Sequence, residues 1–327
     1  MRNLKSANVS GKRVLVRVDF NAFPLRPHEL RIEKTLPTIK YLLSKKAKVI
    51  LLTHLETNDG KIPSTKVLLP YLKKILPMDK IELYENLRKF PGEKKNDIVF
   101  ARKLASLGEM YINDAFSASH REHASIVSLP KLLPSYTGFL FEEEIKNLSR
   151  VFNHPHPSTL ILAGGKLETK LPILKKLLPQ FDKALIGGIL LDHLVFGGEK
   201  LFSNKIILPK DVIVSKNKVL DVGMESFKEW GDIIRKSKFI VWNGPLGYLE
   251  KGYTGGTKEL ISILSKVKVP VLIGGGDTLS CLPHGKKLPK NIFVSTGGGA
   301  MLEYLLDKTL PGITALKRAS LAKGGKH

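Results

Sequence analysis

One cysteine, Cys281, stands in a chain of 327 residues. A single thiol cannot close an internal disulfide, and this usage fits a reducing compartment such as the cytoplasm. No apolar run approaches the roughly 20 residues of a membrane helix, and the first six residues form no apolar signal core. A cytoplasmic protein without membrane attachment is therefore expected. Acidic residues are scarce, 30 against 53 lysines and arginines, so the net charge is +23. Such a chain attracts anions: nucleic acid, acidic surfaces or phosphorylated metabolites. The lysines are spread along the sequence, as in Lys45-Lys-Ala-Lys48, and no arginine-rich arm or nucleic-acid motif accompanies them. A solvated basic surface is the expectation, not a specific nucleic-acid partner. Also missing are a Ser–His–Asp or Cys–His arrangement, a four-cysteine site, Gly-x-x-x-x-Gly-Lys-Ser/Thr and Gly-x-Gly-x-x-Gly. Without them, neither a P-loop nor a dinucleotide fold nor covalent catalysis is supported.

What is present is glycine in turns. Val271-Leu-Ile-Gly-Gly-Gly-Asp-Thr278 and Ile292-Phe-Val-Ser-Thr-Gly-Gly-Gly-Ala300 each run from a short apolar stretch through three glycines into helix-like sequence. Glycine lets the backbone approach an anion, and the first N–H groups of the following helix point at it. Gly274, Gly275 and Gly276, with Asp277 and Thr278, therefore form a candidate phosphate site. The carboxylate suits a metal and the hydroxyl suits a phosphate oxygen. A third turn, Gly164-Gly-Lys-Leu-Glu-Thr-Lys170, puts Lys166 and Lys170 four residues apart on one helical face. Asn243 and Glu250, in and after Trp242-Asn-Gly-Pro245, suit the polar parts of a nucleotide.

The order of elements predicts an α/β protein. Strands are expected at 13–20, 48–54, 81–84, 110–113, 159–163, 184–187, 239–242 and at the starts of the two glycine turns. Helices are expected at 32–43, 66–76, 98–107, 139–152, 169–178, 257–267 and 301–306. Strand–helix alternation implies parallel sheets covered on both faces, with ligands beyond the C-terminal strand ends. The residues at those ends in the first half are Asp19, Asn21, His54, Arg88, Asn113 and Asp114, then His120 to His123. Arg31 begins the first helix. Arg31, Arg88 and Arg121 together suit a small molecule carrying phosphate and carboxylate groups. His120 and His123 lack a further cysteine or histidine ligand, so a metal there is not expected. The helix at 139–152 stops at His-Pro-His-Pro and reads as an interdomain connector. The end of the chain looks frayed.

The segments Arg17-Val-Asp-Phe-Asn21, Glu85-Asn-Leu-Arg88, Asn113-Asp-Ala-Phe116, Trp242-Asn-Gly-Pro245, Gly274-Gly-Gly-Asp-Thr278 and Ser295-Thr-Gly-Gly-Gly299 resemble, in this order, the phosphoglycerate kinases. The resemblance covers nearly the whole chain. It implies two Rossmann-like domains facing across a hinged cleft, acting as a cytoplasmic glycolytic monomer. Residues 1–150 would bind 3-phosphoglycerate or 1,3-bisphosphoglycerate and end in the hinge helix. Residues 151–310 would bind Mg-ATP or Mg-ADP, and 311–327 would be a tail returning to the first domain. By motif, Asp19, Asn21, Arg31, His54, Arg88 and Arg121 would hold the acid. Arg31, Lys166, Gly297 and Gly298 would act on the transferring phosphoryl group. Gly164, Lys166, Lys170, Asn243, Glu250, Gly274, Gly275, Gly276, Asp277 and Thr278 would bind the nucleotide, with Asp277 on magnesium.

Some positions depart from the family pattern. His54-Leu-Glu-Thr57 stands where the family has His-Leu-Gly-Arg, which removes one arginine and adds the charge of Glu56. Thr169 replaces an aspartate, and Ile189 stands where a third glycine is common. A nucleic-acid-binding protein or an inactive interaction protein on the same scaffold are the competing readings. The presence of Lys166, Asp277 and Arg31 argues against both.

Overall fold

A computed structural model describes residues 1–21, 30–57, 59–196, 203–216, 218–282 and 288–321, without the side chains of Val195, Phe196, Asp277 and Ser280. The chain forms two compact units, one of Met1–Lys146 with Thr309–His327 and one of Asn147–Lys308.

In the first unit the elements run β1 (Arg13–Arg17), α1 (Leu30–Ser44), β2 (Lys48–Leu52), α2 (Leu69–Ile75), β3 (Ile81–Leu83), α3 (Pro91–Lys94), α4 (Ile98–Ala105), β4 (Met110–Asn113), α5 (Leu129–Leu132), β5 (Ser135–Thr137) and α6 (Phe139–Leu148). The five strands are parallel, in the order β3-β2-β1-β4-β5. Val14, Leu15 and Val16 of the central strand are all fully buried. A continuous apolar strand of this kind is what a parallel sheet with helices on both faces demands. Each such side chain contributes about 1.5–3 kcal/mol on burial.

The expected helix at 66–76 is two pieces, a 3₁₀ turn Thr65–Leu68 and then α2. Pro70 lies in the first turn of α2, where its missing N–H costs nothing. The expected helix at 139–152 likewise ends as α6 at Leu148 and tightens into a 3₁₀ turn, Ser149–Phe152. The first strand stops at Arg17, three residues short of the expected end, and frees Asp19 from the ladder.

The second unit holds β6 (Ser158–Leu162), α7 (Leu167–Leu177), β7 (Lys183–Ile186), α8 (Gly188–Phe196), β8 (Ile206–Ile207), β9 (Val212–Ser215), β10 (Lys218–Val222), α9 (Ser226–Lys236), β11 (Phe239–Asn243), α10 (Gly255–Lys266), β12 (Val271–Gly274), α11 (Gly276–Ser280), β13 (Ile292–Val294) and α12 (Gly299–Asp307). Six parallel strands take the order β13-β12-β11-β6-β7-β8, and β9 pairs antiparallel with β10. The two-stranded hairpin and α9 are elements that the sequence reading did not anticipate.

The last described element is α13 (Pro311–Leu321), part of the first unit. Gly312 donates to the Ser119 carbonyl at 2.9 Å, and a Cβ at Gly312 would lie 2.8 Å from Ser119 Cβ. Arg2 donates to the Ser320 carbonyl at 3.1 Å. The tail is helical through Leu321, and its end, residues 322–327, where fraying is expected, lies outside the described residues. Among the described residues no helix is long and apolar enough to cross a membrane.

Candidate active site

In the first unit the strand order reverses between β1 and β4, and polar residues gather beyond their C-terminal ends. Asp19 follows β1 and is buried. Its Oδ1 accepts from the Asn21 N–H at 3.0 Å, and its Oδ2 accepts from the Ser117 hydroxyl that follows β4. Arg31 Nη1 lies 3.5 Å from Oδ2 and donates to the Asn21 carbonyl at 3.1 Å. Burial pushes the Asp19 carboxyl up, but Arg31, the Ser117 bond and Arg17 together hold it far below the usual carboxylate range. It is therefore an ionised anchor for Arg31.

Arg17, at the end of β1, is 1% exposed. A buried guanidinium needs partners. Its Nε donates to Ser125 Oγ at 3.0 Å, and Ser125 donates in turn to the buried Glu93 at 2.6 Å. Its Nη1 donates to the Val18 carbonyl, and its Nη2 lies 3.2 Å from His54 Nδ1. Arginine only donates, so His54 Nδ1 must accept and the ring proton sits on Nε2. Burial and then Arg17 push the His54 pKa well down. The 4.0 Å approach of His54 to Asp19 is accordingly not an ion pair.

Asn86 fixes the next two residues. Its side chain accepts from the N–H groups of Leu55 (3.1 Å) and Arg88 (3.0 Å) and donates to the carbonyls of Leu55 (2.8 Å) and Pro63 (2.7 Å). This locks the loop after β2 to the turn that carries Arg88. Arg121 Nε donates to His120 Nε2 at 3.3 Å. The His123 pKa is pushed down to about 3 by burial and then by Arg88, Arg17 and Arg121. Burial lowers Arg88 too, with Arg121 as the next cause. Burial first, and the neighbouring arginines second, thus keep His54 and His123 neutral at physiological pH. The structure brings Asp19, Asn21, Arg31, His54, Arg88 and Arg121 into one neighbourhood. It adds Arg17, Ser117, Glu93 and Ser125, which were not singled out from the sequence. Arg17 was detectable: it closes a buried apolar strand two residues before Asp19. Thr57 serves a surface turn, accepting from the Lys61 N–H at 3.0 Å.

In the second unit the order reverses between β6 and β11. Lys166 is the exposed residue that opens α7, while Lys170, one turn on, is buried and donates to the Asn243 side chain at the end of β11. Gly244 follows with φ +99°, and a Cβ there would lie 2.0 Å from the Ala163 carbonyl oxygen. Only glycine lets these two turns meet. The Gly244 N–H donates to the buried Thr278 hydroxyl at 2.9 Å, joining the β11 and β12 turns. A hydroxyl that accepts there still has its own proton to give. Gly274 ends β12, Gly275 takes φ +106°, and Gly276 opens α11. Gly297 donates to Ser295 Oγ at 3.0 Å, and Gly298 precedes α12 with φ +52°. Among the described residues no side chain caps α7, α11 or α12, and uncapped helix starts of this kind are suited to an anion.

Gly164, Lys166, Lys170, Asn243, Gly274 to Gly276 and Thr278 thus lie on the neighbouring turns after β6, β11 and β12. Glu250 is exposed in the short turn Leu249–Lys251. The Asp277 side chain lies outside the described residues, so the magnesium assignment has no geometry to rest on. Thr169 donates to the Lys166 carbonyl at 3.0 Å, a local bond within the lysine turn. The Ile189 N–H donates to the Gly164 carbonyl at 3.0 Å.

A family model described as phosphoglycerate kinase matches residues 4–79, 71–197 and 191–308. A phosphoglycerate kinase of Coprothermobacter proteolyticus is 36% identical over 388 positions, covering 97% of this chain and 98% of the relative. That of Finegoldia magna is 36% identical over 391 positions, covering 96% and 98%. Alignments longer than the 327-residue chain mean that this chain carries the deletions. The solved phosphoglycerate kinase of Coxiella burnetii superposes with a TM-score of 0.80 at 28% identity, covering 97% of this chain and 98% of that one. That of Pyrococcus horikoshii gives 0.87 at 24% identity, covering 98% and 100%, a likeness of fold. With the family model and these relatives matching it over nearly its full length, the chain belongs to the phosphoglycerate kinase family.

Proposed function

We propose that the protein is a phosphotransferase of glycolysis, moving a phosphoryl group reversibly between 1,3-bisphosphoglycerate and ADP to give 3-phosphoglycerate and ATP. The observation that carries this reading is the cluster of Arg17, Arg31, Arg88 and Arg121 with neutral His54 and His123. It suits a small molecule that bears both phosphate and carboxylate. Asp19, Asn21, Arg31, His54, Arg88 and Arg121 are the proposed contacts of the acid. The glycine and lysine turns of the second unit are the proposed contacts of Mg-ATP, with Asp277 on its magnesium.

In the direction of ATP use, a carboxylate oxygen of 3-phosphoglycerate attacks the γ-phosphorus, and the bond to the ADP oxygen breaks. No side chain is phosphorylated. The protein supplies position and charge: Arg31 orients the acid, Lys166 neutralises the moving phosphoryl oxygens, and the Gly297 and Gly298 turn offers N–H groups. A coupled assay with 3-phosphoglycerate and Mg-ATP tests the reading. Release of ADP is expected only when both substrates and magnesium are present. A folded protein with no acid-dependent ADP release would refute it.

A further inference from the structure

Three arginines of the cluster in the first unit are each matched with a carboxylate, and the three carboxylates are not alike. Arg31 faces Asp19, buried and hydrogen-bonded by Ser117 and Asn21. Arg17 is tied through Ser125 to Glu93, which is 1% exposed. Arg88 faces Glu56, whose Oε2 lies 3.7 Å from Nε. The Glu56 side chain is 36% exposed, against 5% for that of Arg88.

At 3.7 Å the contact is Coulombic and is not a hydrogen bond. Arg88 Nε is in fact buried without a hydrogen-bond partner among the described residues. A buried charged donor left unsatisfied favours any acceptor that can reach it. The backbone of residue 56 is fixed, since its N–H donates to Asn21 Oδ1 at 2.9 Å. The carboxylate is therefore held beside Arg88 by its own backbone while remaining open to solvent. Of the three carboxylates it is the one that can swing away without breaking a buried hydrogen bond.

We propose that Glu56 is a built-in competitor for the anion site: it neutralises Arg88 while the site is empty and gives way to an acidic ligand, so it sets the affinity for that ligand. The inference rests on the reading of this cluster as the acid site. It deepens that reading by naming the residue that weakens binding. A carboxylate that merely braced Arg88 would have the opposite effect when removed.

The test uses the full chain and the variants Glu56→Gln and Glu56→Ala. Inorganic phosphate is titrated and followed at the Arg88 Nε–H resonance, which reports this site and not the nucleotide turns. Both variants should bind phosphate about three- to fivefold more tightly, the scale of a half-exposed ion pair. The gain should shrink as salt is raised. The KM for 3-phosphoglycerate should fall by a similar factor, with that for ATP unmoved. Unchanged or weaker phosphate binding in Glu56→Gln overturns the proposal. Tighter phosphate binding without any response to 3-phosphoglycerate would uphold Glu56 as the competitor while removing 3-phosphoglycerate as the ligand.

Discussion

The two units share a plan and differ in what they place on it. In each, the first strand lies at the point where the sheet order reverses, β1 beside β4 and β6 beside β11. The first unit equips that point with buried side-chain charge, chiefly Arg17 and Arg88. The second equips it with glycine turns, uncapped helix starts and two lysines. Side-chain charge requires counter-charge, which explains Asp19, Glu93 and Glu56, and with burial as the larger cause it keeps His54 and His123 neutral. Backbone N–H groups require no such partner, but they demand conformations that only glycine adopts cheaply. One site is therefore fragile to changes of charge, the other to changes of shape.

The sharpest break of that contrast is Gly244→Ala. The added Cβ meets the Ala163 carbonyl oxygen at 2.0 Å in a left-handed backbone. A loss of about 3–5 kcal/mol is expected in urea unfolding. Gly252, at φ +83° with nothing within 4 Å, is the control, and its alanine variant should lose only about 1 kcal/mol. Equal losses would show that crowding at the turns is not the constraint.

Next comes Lys166→Ala, which removes charge and leaves the glycine turns intact. It should lower kcat by about 10² or more while KM for ATP changes little, because backbone groups hold the ground state. A mainly raised KM would assign Lys166 to nucleotide binding instead.

The smallest effect probes charge in the first unit. Asp114 is buried beyond β4, where its Oδ1 accepts from the Phe141 N–H at 3.1 Å and its Oδ2 has no hydrogen-bond partner among the described residues. Burial pushes its carboxyl up to about 7, against 3.8 for an ordinary aspartate, despite hydrogen bonds from Thr38 and the α6 start. The folded state therefore holds the proton more tightly than the unfolded state. The stability this contributes is complete below about pH 3.8 and is lost as pH rises towards 7. In Asp114→Asn that loss should disappear from the pH dependence of unfolding. Parallel curves for both proteins would show that Asp114 titrates normally.

The parallel sheets were legible in the sequence because their strands are apolar runs ended by polar or glycine residues, as at Val14 to Asp19 and Val271 to Gly276. The hairpin of β9 and β10 was not legible: Val212, Ile213 and Val214 are all at least one-third exposed, so no burial pattern marks them. Arg88 and Arg121 could be named from their places after strand ends, and Arg31 from the start of the first helix. What neutralises their neighbours could not, because Glu93 and Ser125 reach Arg17 only through tertiary packing. The helix break at Pro70 was visible in principle and shows local chemistry prevailing over apolar spacing.

The central claim is that the acid and the nucleotide are bound by different units through different chemistry. Hydrogen exchange with each ligand added alone tests it most directly. 3-Phosphoglycerate should slow exchange at 17–21, 54–56, 86–88 and 120–123, and Mg-ADP should slow it at 164–170, 243–246 and 274–278. Protection of the glycine turns by the acid alone, or of the arginine segments by the nucleotide alone, would contradict the account.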